Sequence, residues 1–61
     1  MIRFDTAIEA IKKASELAEF KGINYIVTFN RIYNKFLVWS DQEQASGQFI
    51  ERVRADVHPN V

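Results

Sequence analysis

The residues that could do acid–base or nucleophilic chemistry are few and far apart in this sequence of 61 residues. The single histidine, His58, stands directly before Pro59, and there is no cysteine. A catalytic serine needs a neighbouring base, and none of Ser15, Ser40 and Ser46 has a histidine near it in the sequence. We therefore expect a protein that is not an enzyme.

The acidic residues do not suggest a metal site. Glu9 and Glu16 share one face of a predicted helix two turns apart, a spacing that is equally typical of a solvated helix surface. The only glycines are Gly22 and Gly47, so the chain has no glycine-rich loop that could hold a phosphate. The sequence predicts no bound metal and no cofactor.

A further group of residues combines aromatic rings with positive charge. Arg31 and Lys35 lie among the aromatic residues of a predicted hairpin, and Arg52 and Arg54 follow later. Aromatic side chains on a sheet can stack on bases while nearby cations bind phosphates. The formal net charge is zero, however, and broad binding to nucleic acid needs a clustered positive field. Nucleic acid binding is therefore the alternative hypothesis.

The stretch 23–40 positions most of these side chains and predicts a β-hairpin. β-branched and aromatic residues dominate both of its halves, and Asn30 and Asn34 fit the corners of the turn because asparagine tolerates left-handed backbone angles. A loop with an even number of residues gives one strongly apolar face, made of Tyr25, Val27, Phe29, Phe36 and Val38.

The second face of this hairpin is also partly apolar. With an even loop it collects Ile26, Leu37 and Trp39 among Asn24, Thr28 and Lys35; an odd loop exchanges the two sets of the second strand. A sheet that has one side in water normally carries polar residues on that side. We therefore expect another part of the protein, or a second chain, to cover this face.

An amphipathic helix is predicted between a short leading strand, 1–4, and the hairpin. Thr6 and Glu9 have the spacing of a capping box, and Lys21 and Gly22 are typical of a helix end. The predicted apolar stripe has small residues at its centre, namely Ala7, Ala14 and Ala18. Such a stripe lets a helix sit close to a sheet that bears large aromatic residues.

The last third of the chain fits two structures. Ser40 and Glu43 repeat the capping-box spacing, and several apolar residues fall together on a helical wheel: Ala45, Phe49, Ile50, Val53 and Val57. Gly47 would weaken such a helix, and the alternative is a third strand over Phe49–Val57, although strand alternation would place Glu51 among apolar residues. We predict the helix, ending at His58 before Pro59.

Size and composition set the remaining expectations. A chain of 61 residues forms one domain, 1–61, near the lower limit for folding alone. It has no cysteine, no apolar run that would span a membrane and no apolar segment typical of a signal peptide, so we expect a soluble cytoplasmic protein. Small chains without disulfides often gain buried surface by forming oligomers.

Together these features predict an α+β fold in which the N-terminal amphipathic helix packs on the antiparallel hairpin and a C-terminal helix follows. The expected function is that of a small non-enzymatic binding or accessory protein, of the kind found in bacteria and phages, that acts through protein–protein association as a homodimer. Tryptophan and tyrosine are frequent at the centres of protein interfaces. The predicted interface residues are Tyr25, Ile26, Tyr33, Leu37 and Trp39.

Overall fold

The protein, described by a computed structural model over residues 2–55, has one helix and one antiparallel sheet of four strands. Along the chain, the elements are β1 (Ile2–Phe4), α1 (Ala7–Lys21), β2 (Tyr25–Asn30), β3 (Lys35–Ser40) and β4 (Gln48–Val53). The strand order across the sheet is β1-β3-β2-β4, so β1 and β4 are the edges. The predicted α+β class and the short leading edge strand are confirmed.

The ends of the helix follow the predicted capping residues. The hydroxyl of Thr6 accepts a hydrogen bond from the backbone N–H of Glu9 at 3.2 Å, which satisfies a free amide of the first turn. At the other end, Gly22 takes the left-handed conformation with φ 71°, and its N–H donates to the carbonyl of Ala18 at 2.9 Å. The predicted helix boundaries are confirmed.

Small residues bring the helix close to one face of the sheet. Ala10, Ala14 and Ala18 are at most 2% exposed, and they pack against the buried side chains of Tyr25, Val27 and Val38. An alanine stripe lets the helix backbone approach until the larger strand residues fill the space between the two layers. The core of the protein therefore lies between α1 and this face, which we call the covered face.

The turn between β2 and β3 selects the even-loop arrangement. Four residues, 31–34, connect the strands, and the register places Val27 opposite Val38 and Phe29 opposite Phe36. The rings of Phe29 and Phe36 lie 4.9 Å apart between centroids on the covered face. One strongly apolar face therefore forms, as the even loop predicts.

Both asparagines serve the turn in the expected way. The side-chain oxygen of Asn30 accepts a hydrogen bond from the N–H of Tyr33 at 2.9 Å. Asn34 has φ 57°, in the left-handed region where asparagine is one of the few residues without strain. The predicted corners of the turn are confirmed.

The predicted C-terminal helix is wrong, because this segment forms β4, which pairs antiparallel with β2. The register shifts between Val27, which lies opposite Glu51, and Thr28, which lies opposite Phe49, so β4 carries a bulge at Ile50. The bulge lets Ile50 and Val53 both pack against the core although they are three residues apart. A spacing of three is typical of helices, and the bulge reproduces it within a strand. Val57 lies outside the described residues.

Two sequence features that bear on the C-terminal helix, the Ser40–Glu43 spacing and Gly47, have other roles in the structure. The N–H of Ser40 donates to Oε1 of Glu43 at 2.7 Å, and the N–H of Glu43 donates to the carbonyl of Ser40 at 3.1 Å, so the pair closes a turn after β3. Gly47 has φ 99°, and a Cβ atom there would lie 2.8 Å from the carbonyl oxygen of Phe29. This glycine allows β4 to begin close against β2.

Candidate binding surface

No helix or strand of residues 2–55 covers the second face of the sheet, but the connection 41–47 crosses it. β3 and β4 pair antiparallel with β2 from opposite sides, so this connection runs back along β2, on the side that α1 leaves free. The pairing register and the alternation of side chains assign its members: Arg3, Ile26, Thr28, Lys35, Leu37, Trp39, Phe49 and Arg52. We call this surface the open face. It contains both large apolar side chains and cations, which is unusual for the solvent side of a sheet.

The centre of the open face is held together by its own side chains. Leu37 and Thr28 are only 4% and 3% exposed, in keeping with the connection that crosses this face, where a Cβ atom at Gly47 would lie 3.4 Å from Oγ1 of Thr28. The indole of Trp39 reaches diagonally from β3 to β2, and its Nε1–H donates to the hydroxyl of Thr28 at 2.9 Å. The only polar group of the tryptophan side chain is therefore satisfied within the protein, and the rest of the indole is hydrocarbon.

Aromatic rings remain accessible on and beside this surface. Phe49 is 60% exposed on the edge strand β4, and Tyr33 is 63% exposed in the turn. The guanidinium carbon of Arg3 lies 5.6 Å from the centre of the Tyr33 ring, a cation–π contact. This contact joins the β1 edge of the open face to the turn.

Cations occupy both edges of the open face. Arg3 lies on β1 and Arg52 on β4, the two edge strands, whose backbones are about 14 Å apart when three strand spacings are counted. Arg54 follows β4 directly, and Arg31 lies exposed in the turn. The ammonium of Lys35 forms an ion pair with the carboxylate of Asp5, which offsets its charge.

The zero net charge of the chain conceals a separation of charge. All four arginines lie on the open face or at its border, whereas the other three lysines, Lys12, Lys13 and Lys21, are on the helix. Among the described carboxylates, Asp5 lies beside the open face, and Asp41 and Glu43 lie in the connection that crosses it. The others lie on the helix or in β4 opposite a core residue: Glu9, Glu16, Glu19 and Glu51.

The structure brings together most, but not all, of the predicted interface residues. Ile26, Leu37 and Trp39 share the open face, and Tyr33 lies next to it in the turn. Tyr25 is separated from them, because it faces the helix and is 5% exposed in the core.

The residues predicted for nucleic acid contact are also placed around this surface. Lys35 and Arg52 are on the open face, Arg54 directly follows β4, and Arg31 lies in the turn.

Sequence reasoning missed Arg3 and Phe49. The signal for Arg3 was its position between the apolar residues Ile2 and Phe4, since alternation in a short strand puts the middle residue on the opposite face. Phe49 was assigned to a helix, where its neighbours would have been different. As a strand residue, it lies opposite Thr28 on the open face.

Within residues 2–55, no three histidine or acidic side chains lie close enough together to hold a metal ion. His58 is outside this range, and no helix within it has the length and hydropathy needed to cross a membrane. Comparison with protein family models, with curated proteins and with solved structures gives no match to this chain.

Proposed function

We propose that this protein is a non-enzymatic binding protein whose open face docks on an anionic macromolecule. One observation carries the proposal: the four arginines and two exposed aromatic rings, those of Tyr33 and Phe49, lie on or beside the side of the sheet that the helix leaves free. Of the described carboxylates, Asp5 is paired with Lys35 there, and Asp41 and Glu43 lie in the connection that crosses this side.

The composition of the open face suits a specific interface. Tryptophan, tyrosine and arginine are the side chains that most often dominate binding energy, and they act best where an apolar centre is surrounded by a polar rim. Here, Trp39 is half-buried on this face, and Arg3 and Arg52 lie on opposite edges of the sheet. The planar guanidinium group binds carboxylates and phosphates through two parallel hydrogen bonds, which favours an anionic partner.

The homodimer predicted from the sequence stays a prediction, and the charges favour a different occupant for the open face. A two-fold axis between two open faces would bring Arg3 and Arg52 of one copy towards the same cations of its partner. The free edge of β4 is also poorly suited to pairing with a second copy, because it is bulged and carries Glu51 and Arg52.

The proposal is tested by removing the same amount of charge from each side of the molecule. Arg3→Ala with Arg52→Ala removes two positive charges from the open face, and Lys12→Ala with Lys21→Ala removes two from the helix. We expect the arginine pair to elute from a heparin column at clearly lower salt than the wild type, and the lysine pair to elute at almost the same salt. Equal losses for the two pairs would contradict a specific open face.

Sedimentation across a dilution series separates the anionic partner from a second copy. We expect the open face to be free in the isolated protein, so Trp39→Ala should leave the mass unchanged at every concentration. A wild-type dimer that Trp39→Ala splits into folded monomers would show that a second copy occupies the open face, and would contradict the proposal.

A further inference from the structure

We infer that the turn between β2 and β3, residues 31–34, inserts its apolar side chains into a lipid bilayer that carries anionic headgroups. We call this turn the hairpin tip. The inference goes beyond the proposed function, because it concerns the hairpin tip and a lipid surface instead of the open face and a macromolecule. It follows from three features of the tip: its position beyond the rest of the sheet, the exposure of its apolar side chains and the arginines beside them.

The hairpin tip extends beyond both edge strands of the sheet. β1 ends opposite Phe36 of β3, and β4 begins opposite Phe29 of β2. β2 and β3 stay paired for one further residue, Asn30 with Lys35, before the turn starts. A flat surface that approaches this end of the sheet therefore meets the hairpin tip before it meets any strand.

The apolar side chains of the hairpin tip are exposed and held in place. Ile32 is 87% exposed and Tyr33 is 63% exposed, so the helix and the connection 41–47 leave both accessible. The N–H of Tyr33 donates to the side chain of Asn30 at 2.9 Å, which fixes the turn. Isoleucine has no polar atom in its side chain that a nucleic acid or a sugar could bind, whereas its transfer from water to hydrocarbon is favourable.

Two arginines flank these apolar side chains. Arg31 directly precedes Ile32 and is exposed, and the guanidinium carbon of Arg3 lies 5.6 Å from the centre of the Tyr33 ring. Arginines close to a membrane attract anionic headgroups, and tyrosine rings prefer the same interfacial layer. An aliphatic side chain at the tip, with tyrosine and arginine next to it, matches the order of a bilayer from hydrocarbon to headgroups.

The described carboxylates do not neutralise these two arginines. Asp5 is paired with Lys35 at the base of the turn. Glu9 lies in the first turn of α1, where it faces the positive end of the helix dipole. Asp41 and Glu43 follow the far end of β3, which its six residues place about 17 Å from the hairpin tip. Positive charge therefore remains at the end of the molecule that carries the exposed isoleucine.

The shape of the hairpin tip favours a bilayer over a second copy of the chain. A projecting turn can enter a bilayer without a matching pocket, whereas a protein partner needs one. Two hairpin tips related by a two-fold axis would also bring Arg31 of one copy towards Arg31 of the other. The contact with lipid is peripheral and reversible, since one aliphatic side chain anchors weakly and the arginines supply the remaining attraction.

Vesicle sedimentation with the full-length protein tests this inference. The vesicles consist either of phosphatidylcholine alone or of phosphatidylcholine mixed with phosphatidylglycerol. We expect the wild type to sediment with the mixed vesicles and to stay in solution with phosphatidylcholine alone. Binding should fall as the salt concentration rises, because salt screens the attraction between arginines and headgroups.

Matched variants at the two ends of the molecule test each part of the hairpin tip. Ile32→Ser should weaken binding to the mixed vesicles roughly tenfold, the loss expected when an aliphatic side chain no longer enters hydrocarbon. Phe20 is 85% exposed near the far end of α1, and Phe20→Ser should leave binding unchanged. Arg31→Ala should weaken binding roughly fivefold, and Lys21→Ala at the end of α1 by much less. All four side chains are exposed, so these variants should fold.

The outcomes separate this inference from the proposed function. Equal losses for Ile32→Ser and Phe20→Ser, or no loss for either, would overturn insertion of the hairpin tip. Failure of the wild type to bind the mixed vesicles, or equal binding to both kinds of vesicle, would do the same. A wild-type dimer that Ile32→Ser splits in the absence of lipid would assign the tip to a second copy and also overturn the inference. Heparin retention decides the proposed function separately, and there Ile32→Ser should elute at the same salt as the wild type.

Discussion

The two faces of one sheet differ in what holds their apolar side chains in place. On the covered face, Val27 and Val38 are almost fully buried because the alanine stripe of α1 lies against them. On the open face, Leu37 and Thr28 are nearly as buried, but what crosses them is the connection 41–47, which has no helix or strand, together with the side chain of Trp39. The covered face is sealed by a helix, whereas the open face is sealed by one short connection and by neighbouring side chains.

This difference shows how burial and availability can be combined on one small sheet. A face that is covered by a helix is buried in the folded protein, so a partner cannot contact it. On the open face, Trp39 protects Thr28 and still presents part of its ring to solvent. The open face can therefore support the fold and bind a ligand, and substitutions on the two faces should have different consequences.

The largest effect is expected where the helix meets the covered face. Ala14 is 0% exposed, and Ala14→Leu would push α1 away from the sheet, with a loss of about 3 kcal/mol in the free energy of unfolding. Ser15 is the next residue and is exposed, so Ser15→Leu should change stability by less than about 0.5 kcal/mol. Urea denaturation of both variants measures this; similar losses for the two would mean that α1 does not pack through its alanines.

The next effect concerns the attachment of β4, which carries Phe49 and Arg52 to the open face. Gly47→Ala requires a strained backbone and places a Cβ atom against the carbonyl of Phe29, so we expect a loss of about 2 kcal/mol. Gly22→Ala is strained at its positive φ but meets no atom within 4 Å, and should cost about 1 kcal/mol. Thermal unfolding of the two variants compares these losses of stability. A larger loss for Gly22→Ala than for Gly47→Ala would contradict the close contact between Gly47 and β2.

A smaller effect is expected at the centre of the open face. Thr28→Val keeps the shape of the side chain but removes the acceptor of the Trp39 indole N–H, and should cost about 1 kcal/mol. The tryptophan emission of this variant should also change, because the indole loses its fixed partner. Unchanged stability and emission would show that Trp39 is not held in this position.

The smallest effect is expected in the turn after β3. The hydrogen bond from the backbone N–H of Ser40 holds the pKa of Glu43 below its ordinary value of 4.5. A lowered pKa in the folded state means that the stabilisation is complete above the ordinary pKa and is lost as the pH falls through the lowered one. Glu43→Gln should therefore cost less than about 0.5 kcal/mol at neutral pH, because the group is exposed. The difference from the wild type should vanish in acid, which denaturation at several pH values measures.

The covered face was largely predictable because local signals determine it. The capping residues Thr6 and Gly22 define the helix, the asparagines define the turn, and an even loop fixes which strand residues share a face. None of these depends on contacts that are distant in the sequence, since each follows from backbone preferences and side-chain alternation.

The open face was less predictable because it depends on contacts between distant parts of the chain. The bulge at Ile50 gave β4 the apolar spacing of a helix, which hid the position of Phe49. Net charge hid the placement of the arginines on one side of the sheet, since a sum over the sequence says nothing about which face a residue occupies. Arg3 joins Arg52 only through the strand order β1-β3-β2-β4, which no local signal indicates.

The most direct test of the central claim is the quenching of Trp39 fluorescence in the free protein by iodide and by caesium at low ionic strength. A face bordered by arginines attracts anions and repels cations. We therefore expect iodide to quench Trp39 clearly better than caesium at every protein concentration, and Arg3→Ala with Arg52→Ala to reduce this preference. Protection of Trp39 from both ions, or equal quenching by the two, would contradict an open, positively charged binding face.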